Sequence, residues 1–265
     1  MSAEPHLLVE REDHVVVVTM NRPERRNALS GEMLVRMNDA WDEIDSDPDV
    51  RVAILTGASG TFCAGADLKA MAGGNQGDEW SDRFMKDPDL HWKALLRHRR
   101  LTKPLIAAVE GYAVAGGTEI LQATDIRIAA ETAIFGVTEV TRGLFPLGGS
   151  TVRLRRQIPY TLAADILLTG RHVPAAEARE IGLIGRVVAE GEALAEAKRG
   201  AEQIAANAPL SVQAVLRSLR ETESVPERDA MEIEGRIGLP VFATQDAREG
   251  PRAFAEKRKP EFQGR

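Results

Sequence analysis

Leu105-Ile106-Ala107-Ala108-Val109 runs directly into Glu110-Gly111-Tyr112-Ala113-Val114-Ala115-Gly116-Gly117-Thr118-Glu119. The first five residues are apolar without a break, the pattern of a strand covered on both faces. The glycine pair that follows stands ahead of a helical segment, 118–123. It aims a backbone N–H and a helix start at one point, a place suited to a negatively charged oxygen. Glycine for close helix packing is the competing explanation at 116–117.

The same alternation extends in both directions. Val15-Val16-Val17-Val18 is a β-branched run, and Val52-Ala53-Ile54-Leu55 reads likewise as a buried strand. Shorter runs at 126–128, 133–135 and 186–188 repeat the pattern. Between the first two strands, Ser30 is placed to cap a helix with its hydroxyl. Met33, Met37, Trp41 and Ile44 then fall on one helical face, and Asp47-Pro48-Asp49 ends the segment. Strand, helix and strand in succession predict an α/β protein with a mainly parallel sheet. From about Glu192 the strand patterns stop. Helical patterns cover 192–207, 209–222, 227–237 and 246–259, with Pro209 and Pro226 at helix starts. The chain therefore divides into a core, 1–190, and a helical subdomain, 191–265. The polar, glycine-rich stretch 73–78 is expected to be a mobile loop bordering a site. Arg97–Lys103 reads as a solvated helix end.

Composition narrows the function. With 265 residues, 43% hydrophobic and 28% charged, the chain has the makeup of a folded globular protein. A net charge of −6 argues against nucleic acid or an anionic membrane as a partner, and an anionic ligand would need a local basic patch. One cysteine, Cys63, allows no intrachain disulfide and fits a reducing compartment. The first residues, MSAEPHLLVERED, lack a signal pattern, and no apolar run reaches a membrane span. A cytoplasmic protein is expected.

Several chemistries find no motif. No G-x-G-x-x-G follows a strand, and no phosphate-loop pattern occurs. Gly148-Gly149-Ser150-Thr151-Val152 fails the nucleophile elbow at its last position. Histidines 6, 14, 91, 98 and 172 show no metal-ligand spacing, so no metal site is expected. Two further features remain beside the glycine pair. Phe62-Cys63-Ala64-Gly65-Ala66-Asp67-Leu68 follows a strand with a row of small residues, where a ligand can approach the backbone and Asp67 can cap a helix. A tight buried turn is the alternative. Phe135-Gly136-Val137-Thr138-Glu139 places an acid in an apolar stretch before Gly143-Leu144-Phe145-Pro146-Leu147-Gly148-Gly149. Desolvation there would raise the Glu139 pKa, unless the side chain simply caps a helix at the surface.

In this order these segments resemble the enoyl-CoA hydratase/isomerase, or crotonase, family. The likeness begins at Asn21-Arg22-Pro23-Glu24-Arg25-Arg26-Asn27-Ala28-Leu29 and runs through Cys63–Lys69, Gly116-Gly117-Thr118-Glu119 and Phe135–Glu139. It continues through Thr169-Gly170 and 176–182 to Ala253–Lys259, covering nearly the whole chain. The resemblance implies a spiral of ββα units with a C-terminal helical oligomerisation region, assembled as a homotrimer or a hexamer of two trimers. It implies an acyl-CoA thioester substrate and no separate cofactor, coenzyme A being part of that substrate. By motif position the N–H groups of Ala66 and Gly116 are the oxyanion hole, and Glu119 and Glu139 are the catalytic carboxylates. Their spacing matches the hydratases, whereas isomerases typically need only the acid at 139.

For CoA and substrate, the resemblance points to Arg25, Arg26, Ala28, Ala64, Asp67, Leu68, Lys69 and Leu147. Ala64 is the position that meets adenine through its backbone. Arg248 and Lys257 are placed to reach a neighbouring subunit's phosphate. One departure stands out: Leu147 occupies a position where hydratases usually carry glycine. That choice bears on chain length and on how water is held. The activity implied is addition of water across the 2,3-double bond of an enoyl-CoA. Double-bond isomerisation, dehydration of a special 3-hydroxyacyl-CoA, and non-catalytic acyl-CoA binding are the alternatives.

Overall fold

The computed structural model describes residues 4–69 and 80–265. The stretch 73–78 lies outside the described residues. The chain opens with an antiparallel pair, β1 (Leu7–Glu12) and β2 (Val15–Met20), followed by helix α1 (Gly31–Ser46) and β3 (Val52–Gly57). Two short helices, α2 (Ser81–Lys86) and α3 (Leu90–Ala94), lead to β4 (Leu105–Val109), β5 (Tyr112–Val114) and α4 (Gly116–Leu121). Next come β6 (Ile126–Ala130), β7 (Ile134–Gly136), a 3-10 turn at Glu139–Arg142, α5 (Ser150–Gln157) and α6 (Tyr160–Thr169). Then β8 (Val173–Pro174), α7 (Ala175–Glu180) and β9 (Arg186–Val188) complete the strands. The helices α8 (Ala193–Ala205), α9 (Pro209–Glu221), α10 (Glu227–Gly238) and α11 (Gln245–Ala255) close the chain, with a 3-10 turn at Leu239–Ala243.

Six strands form one sheet in the order β1-β2-β3-β4-β6-β9, parallel throughout except at β1–β2. Three form a smaller sheet, β5-β7-β8. Consecutive strands thus leave one sheet and enter the other before a helix follows. β4 passes to β5 and then α4; β6 passes to β7 and then α5. After β3, Cys63 makes the same move, forming a parallel bridge to Ala113 in β5. These repeated ββα turns build the expected spiral.

Strand alternation explains why the large sheet reads as unbroken apolar runs. Val16, Val18, Ala53, Leu55, Leu105, Ala107 and Val109 face the main core with α1. Their neighbours Val15, Val17, Val52, Ile54, Ile106 and Ala108 face a second core on the opposite side. That second core is covered by α8, whose Ala193, Ala197, Ala201 and Ala205 repeat every four residues and are buried. The helical region expected from residue 191 therefore has two parts. α8 is a cover of the sheet, and the helices from Pro209 onward follow it. They leave Val215, Leu219, Leu239, Phe242 and Phe254 more than 60% exposed.

Local signals land where the sequence places them. Ser30 Oγ accepts the Met33 N–H at 3.1 Å, and Met33, Met37, Trp41 and Ile44 are all buried. Pro209 is the first residue of α9, and Pro226 is the cap of α10. Two helices are shifted. The one expected at 118–123 begins at Gly116, because the Glu119 N–H already bonds the Ala115 carbonyl at 3.0 Å. The last helix ends at Ala255, not 259, as Lys257 turns to φ 54°. Arg97–Lys103 is not a solvated helix end. Arg99 pairs with Asp42 (2.5 Å) and Asp45 (3.3 Å), and Lys103 is 3% exposed with its ammonium on the Asp47 carbonyl.

Candidate active site

Two chain crossings bring backbone N–H groups together. Leu29 and Ala66 form an isolated parallel bridge, in which the Leu29 N–H donates to the Gly65 carbonyl at 2.8 Å. In such a bridge the residues flanking Ala66 bond Leu29, so the Ala66 N–H itself points to the other side. Opposite it, Gly116 opens α4, where first-turn N–H groups have no partner within the helix. The two loops touch: a Cβ at Gly65 (φ 86°) would lie 2.7 Å from Ala115 Cβ and 3.1 Å from the Gly116 nitrogen. This approach forces Ala115 to φ 50°, ψ −124°, a conformation L residues seldom adopt. Its own N–H is anchored on the Gly136 carbonyl at 2.8 Å. Thr118 ties the same strands together. Its Oγ1 lies 2.5 Å from the Ala113 carbonyl and accepts the Gly136 N–H at 3.1 Å.

One turn into α4, Glu119 is 5% exposed. Its Oε1 accepts the Ser150 N–H at 3.3 Å, and Ser150 Oγ is held by Gln122 Nε2 at 2.8 Å. Burial pushes the Glu119 carboxyl above its ordinary value, while hydrogen bonds from Ser150, Gly148 and Gly149 pull it back. Glu139 heads the 3-10 turn after β7. Desolvation raises its pKa from 4.5 to about 7, and the nearby Glu119 charge adds to the rise. Its Oε2 is buried with no hydrogen-bond partner among the described residues. Two acids with different environments, one held by several N–H donors of the 148–150 turn and one by its own backbone N–H alone, are suited to hold different protonation states.

Ala66, Gly116, Glu119 and Glu139 line one cavity of about 650 Å³. A cavity of about 700 Å³ at the far sheet edge, lined by Glu12, Arg51, Lys198 and Phe262 among others, shares no residue with it.

The family model described as enoyl-CoA hydratase/isomerase matches residues 10–265. The chain belongs to this family. Enoyl-CoA hydratase EchA19 of Mycobacterium tuberculosis is 60% identical over 261 residues, 98% of this chain and 97% of that one. The crystal structure of an enoyl-CoA hydratase from M. tuberculosis H37Rv superposes with a TM-score of 0.88 at 42% identity, covering 99% of this chain and all of that one. An enoyl-CoA hydratase from Bacillus anthracis gives 0.91 at 35%, covering 98% and 100%.

Within this hydratase/isomerase frame, the other candidates separate by position. Arg26, Ala64, Leu68 and Leu147 line the cavity with the two glutamates. Leu147 is 48% exposed. Arg25, Ala28, Asp67 and Lys69 flank the cavity in sequence without lining it. Asp67 holds the local backbone in place, since Oδ1 accepts the Lys69 N–H at 3.1 Å, as a cap, and Oδ2 pairs with Arg22 at 2.7 Å. Ala28 is buried and gives its carbonyl to Arg22 Nη1 at 3.3 Å. Arg248 and Lys257 lie away from the cavity within this chain; Arg248 lines a separate surface hollow with Glu249 and Arg258.

Sequence reasoning misses several members of the site. Ser150 stands out in the sequence only as part of a failed nucleophile elbow, and Gly148 only as part of that motif and of the glycine-rich turn after Glu139, yet both hold Glu119. His91, Trp92 and His172 line the cavity wall, and no spacing rule singles them out. Ala115 carries no signal at all, since alanine does not announce a positive φ.

Proposed function

We propose that this chain hydrates 2-enoyl-CoA thioesters, with Ala66 and Gly116 donating to the thioester oxygen and Glu119 and Glu139 handling water and protons. The observation that carries the proposal is the meeting of two dissimilar carboxylates, one buried and one half-buried, with two backbone donors on one cavity. Attack of water on C3 pushes electrons through the double bond onto the carbonyl oxygen. Fixed donors stabilise that enolate, and loss of one such donor costs on the order of 3–4 kcal/mol. Ionised Glu119 orients water and accepts its proton. Glu139, its pKa raised to about 7 so that it keeps a proton up to near neutrality, supplies the proton to C2. The product is the 3-hydroxyacyl-CoA, and a proton passing from Glu119 to Glu139 restores the starting state. Backbone N–H groups and two acids suffice for this chemistry, so the proposal requires no metal or redox cofactor beyond the CoA of the substrate.

The second acid favours hydration over isomerisation, which needs only the group at 139. Arg26 and Ala64 sit where they would meet the nucleotide end, with Arg25 and Lys69 beside them. The exposed apolar side chains of α9–α11 and the turn at Leu239–Ala243 support a homotrimer or hexamer, in which Arg248 and Lys257 would serve a neighbour's substrate. Leu147 adds bulk on the cavity wall and would restrict the acyl group. The single, fully buried cysteine, its thiol pushed up to about 12 by desolvation, suits a cytoplasmic protein. The test is loss of the conjugated thioester absorbance across a chain-length panel of enoyl-CoA substrates. CoA thioesters that bind without any absorbance loss would leave a non-catalytic binder instead.

A further inference from the structure

Two adjacent glycines, 148 and 149, each receive a charged side chain. A Cβ at Gly148 would lie 2.4 Å from Glu119 Oε2, and one at Gly149 would lie 3.6 Å from Cδ, Nε and Cζ of Arg153. The guanidinium is fixed from behind, where Nη2 donates to the Leu96 carbonyl. Nη1 is buried with no hydrogen-bond partner among the described residues. No ion pair within 4.0 Å joins Arg153 to any carboxylate among the described residues, so its charge acts through space. Burial lowers its pKa to about 10, still well above neutrality, and Glu119 is among the carboxylates that act on it.

We infer that Arg153 is a positioning residue for the reaction: its guanidinium, packed on Gly149 behind the cavity, keeps Glu119 the ionised member of the carboxylate pair and leaves the proton to Glu139. This rests on the hydration reading above. Other charges face the same groups. Arg97, Arg100 and Glu223 act on Arg153, the two arginines adding positive potential behind the site. Arg26, Arg142, His91 and His172 lie on the cavity wall with the glutamates. Arg153 is the cation seated on the same glycine turn that holds Glu119. In a low-dielectric setting a positive charge lowers a carboxyl pKa, and here it would add to the hydrogen bonds from Ser150, Gly148 and Gly149 that already oppose the effect of burial on Glu119. The unpartnered Nη1 fits a group retained for its charge rather than for a specific hydrogen bond.

The experiment is the pH dependence of kcat/KM for crotonyl-CoA hydration in the wild type, Arg153→Lys and Arg153→Gln, each with its Tm. The acidic limb, set by Glu119, should move up by about one pH unit or more in Arg153→Gln and return toward wild type in Arg153→Lys. A purely structural arginine would lower Tm or rate and leave the limb in place, which would overturn the inference. A wild type that does not hydrate crotonyl-CoA sinks the functional reading instead. A second measurement needs neither turnover nor an Arg153 variant. Carbon-13 glutamate titration of Glu119→Gln and Glu139→Gln proteins reads each remaining acid. Glu119 titrating above Glu139 would overturn the inference, since the acid on the Arg153 side would then be the one that keeps the proton.

Discussion

Gly148 leaves the Glu119 carboxylate its place: a single methyl at 148 would stand 2.4 Å from Oε2 and 2.7 Å from Cδ. The acid is therefore positioned as much by a missing side chain as by the Ser150 N–H that bonds it. Gly148→Ala should displace Glu119 and lower kcat by about 100-fold, the usual scale for a misplaced reacting group. Steady-state kinetics checks this. The turn carries no positive φ at 148, so the variant should fold, and wild-type kcat in a folded Gly148→Ala protein would refute the placement.

Glu139 links activity to pH. Its pKa of about 7 means that proton delivery to C2 fails as pH rises through that value. The kcat/KM profile for hydration should show an alkaline limb near pH 7, measured with saturating buffer and a short enoyl-CoA. A rate that stays level to pH 9 would remove Glu139 from the proton-donor role.

Stability should respond to the same group with a definite sign. Between pH 4.5 and about 7 the folded chain keeps a proton on Glu139 that the unfolded chain has released. Rising pH across that window therefore costs stability. Glu139→Gln removes the ionisation penalty. The Tm of the variant minus that of wild type should be larger at pH 8 than at pH 5. Equal differences at both pH values would mean the carboxyl is not raised.

Thr118 joins β5, β7 and α4 through one hydroxyl. Thr118→Val keeps the shape but removes the hydroxyl's bonds to the Ala113 carbonyl and to Gly136, leaving those groups only their β5–β7 ladder partners, at a cost of about 1 kcal/mol. Chemical denaturation reads this directly. Because Ala115 leans on Gly136, the variant should also loosen the Gly116 donor and reduce turnover.

Much of this architecture is legible in the sequence because burial on two faces leaves a plain mark. Val52–Leu55 and Leu105–Val109 are apolar at every position, the pattern that a short strand covered on both sides asks for. The short strands β5 and β8 cannot carry a period, and β1 has one buried residue in six. Glu119 and Glu139 are readable as acids beside glycines. What holds Glu119 is not, since the Gly148 gap, the Ser150 donor and Arg153 come from a turn and the start of α5, which approach α4 only in three dimensions. Arg248 and Lys257, named from the family likeness, lie away from the cavity, and a subunit contact is the route by which they would reach a CoA.

Two carboxylates on one cavity are proposed to divide the work of hydration. The most direct measurement is crotonyl-CoA hydration by Glu119→Gln and Glu139→Gln beside wild type, with CoA-thioester binding and Tm followed in parallel. Each substitution should lower kcat by roughly 100-fold to 10,000-fold, the scale of a lost general acid or base, while binding and folding persist. Turnover near the wild-type rate in either variant would contradict the account.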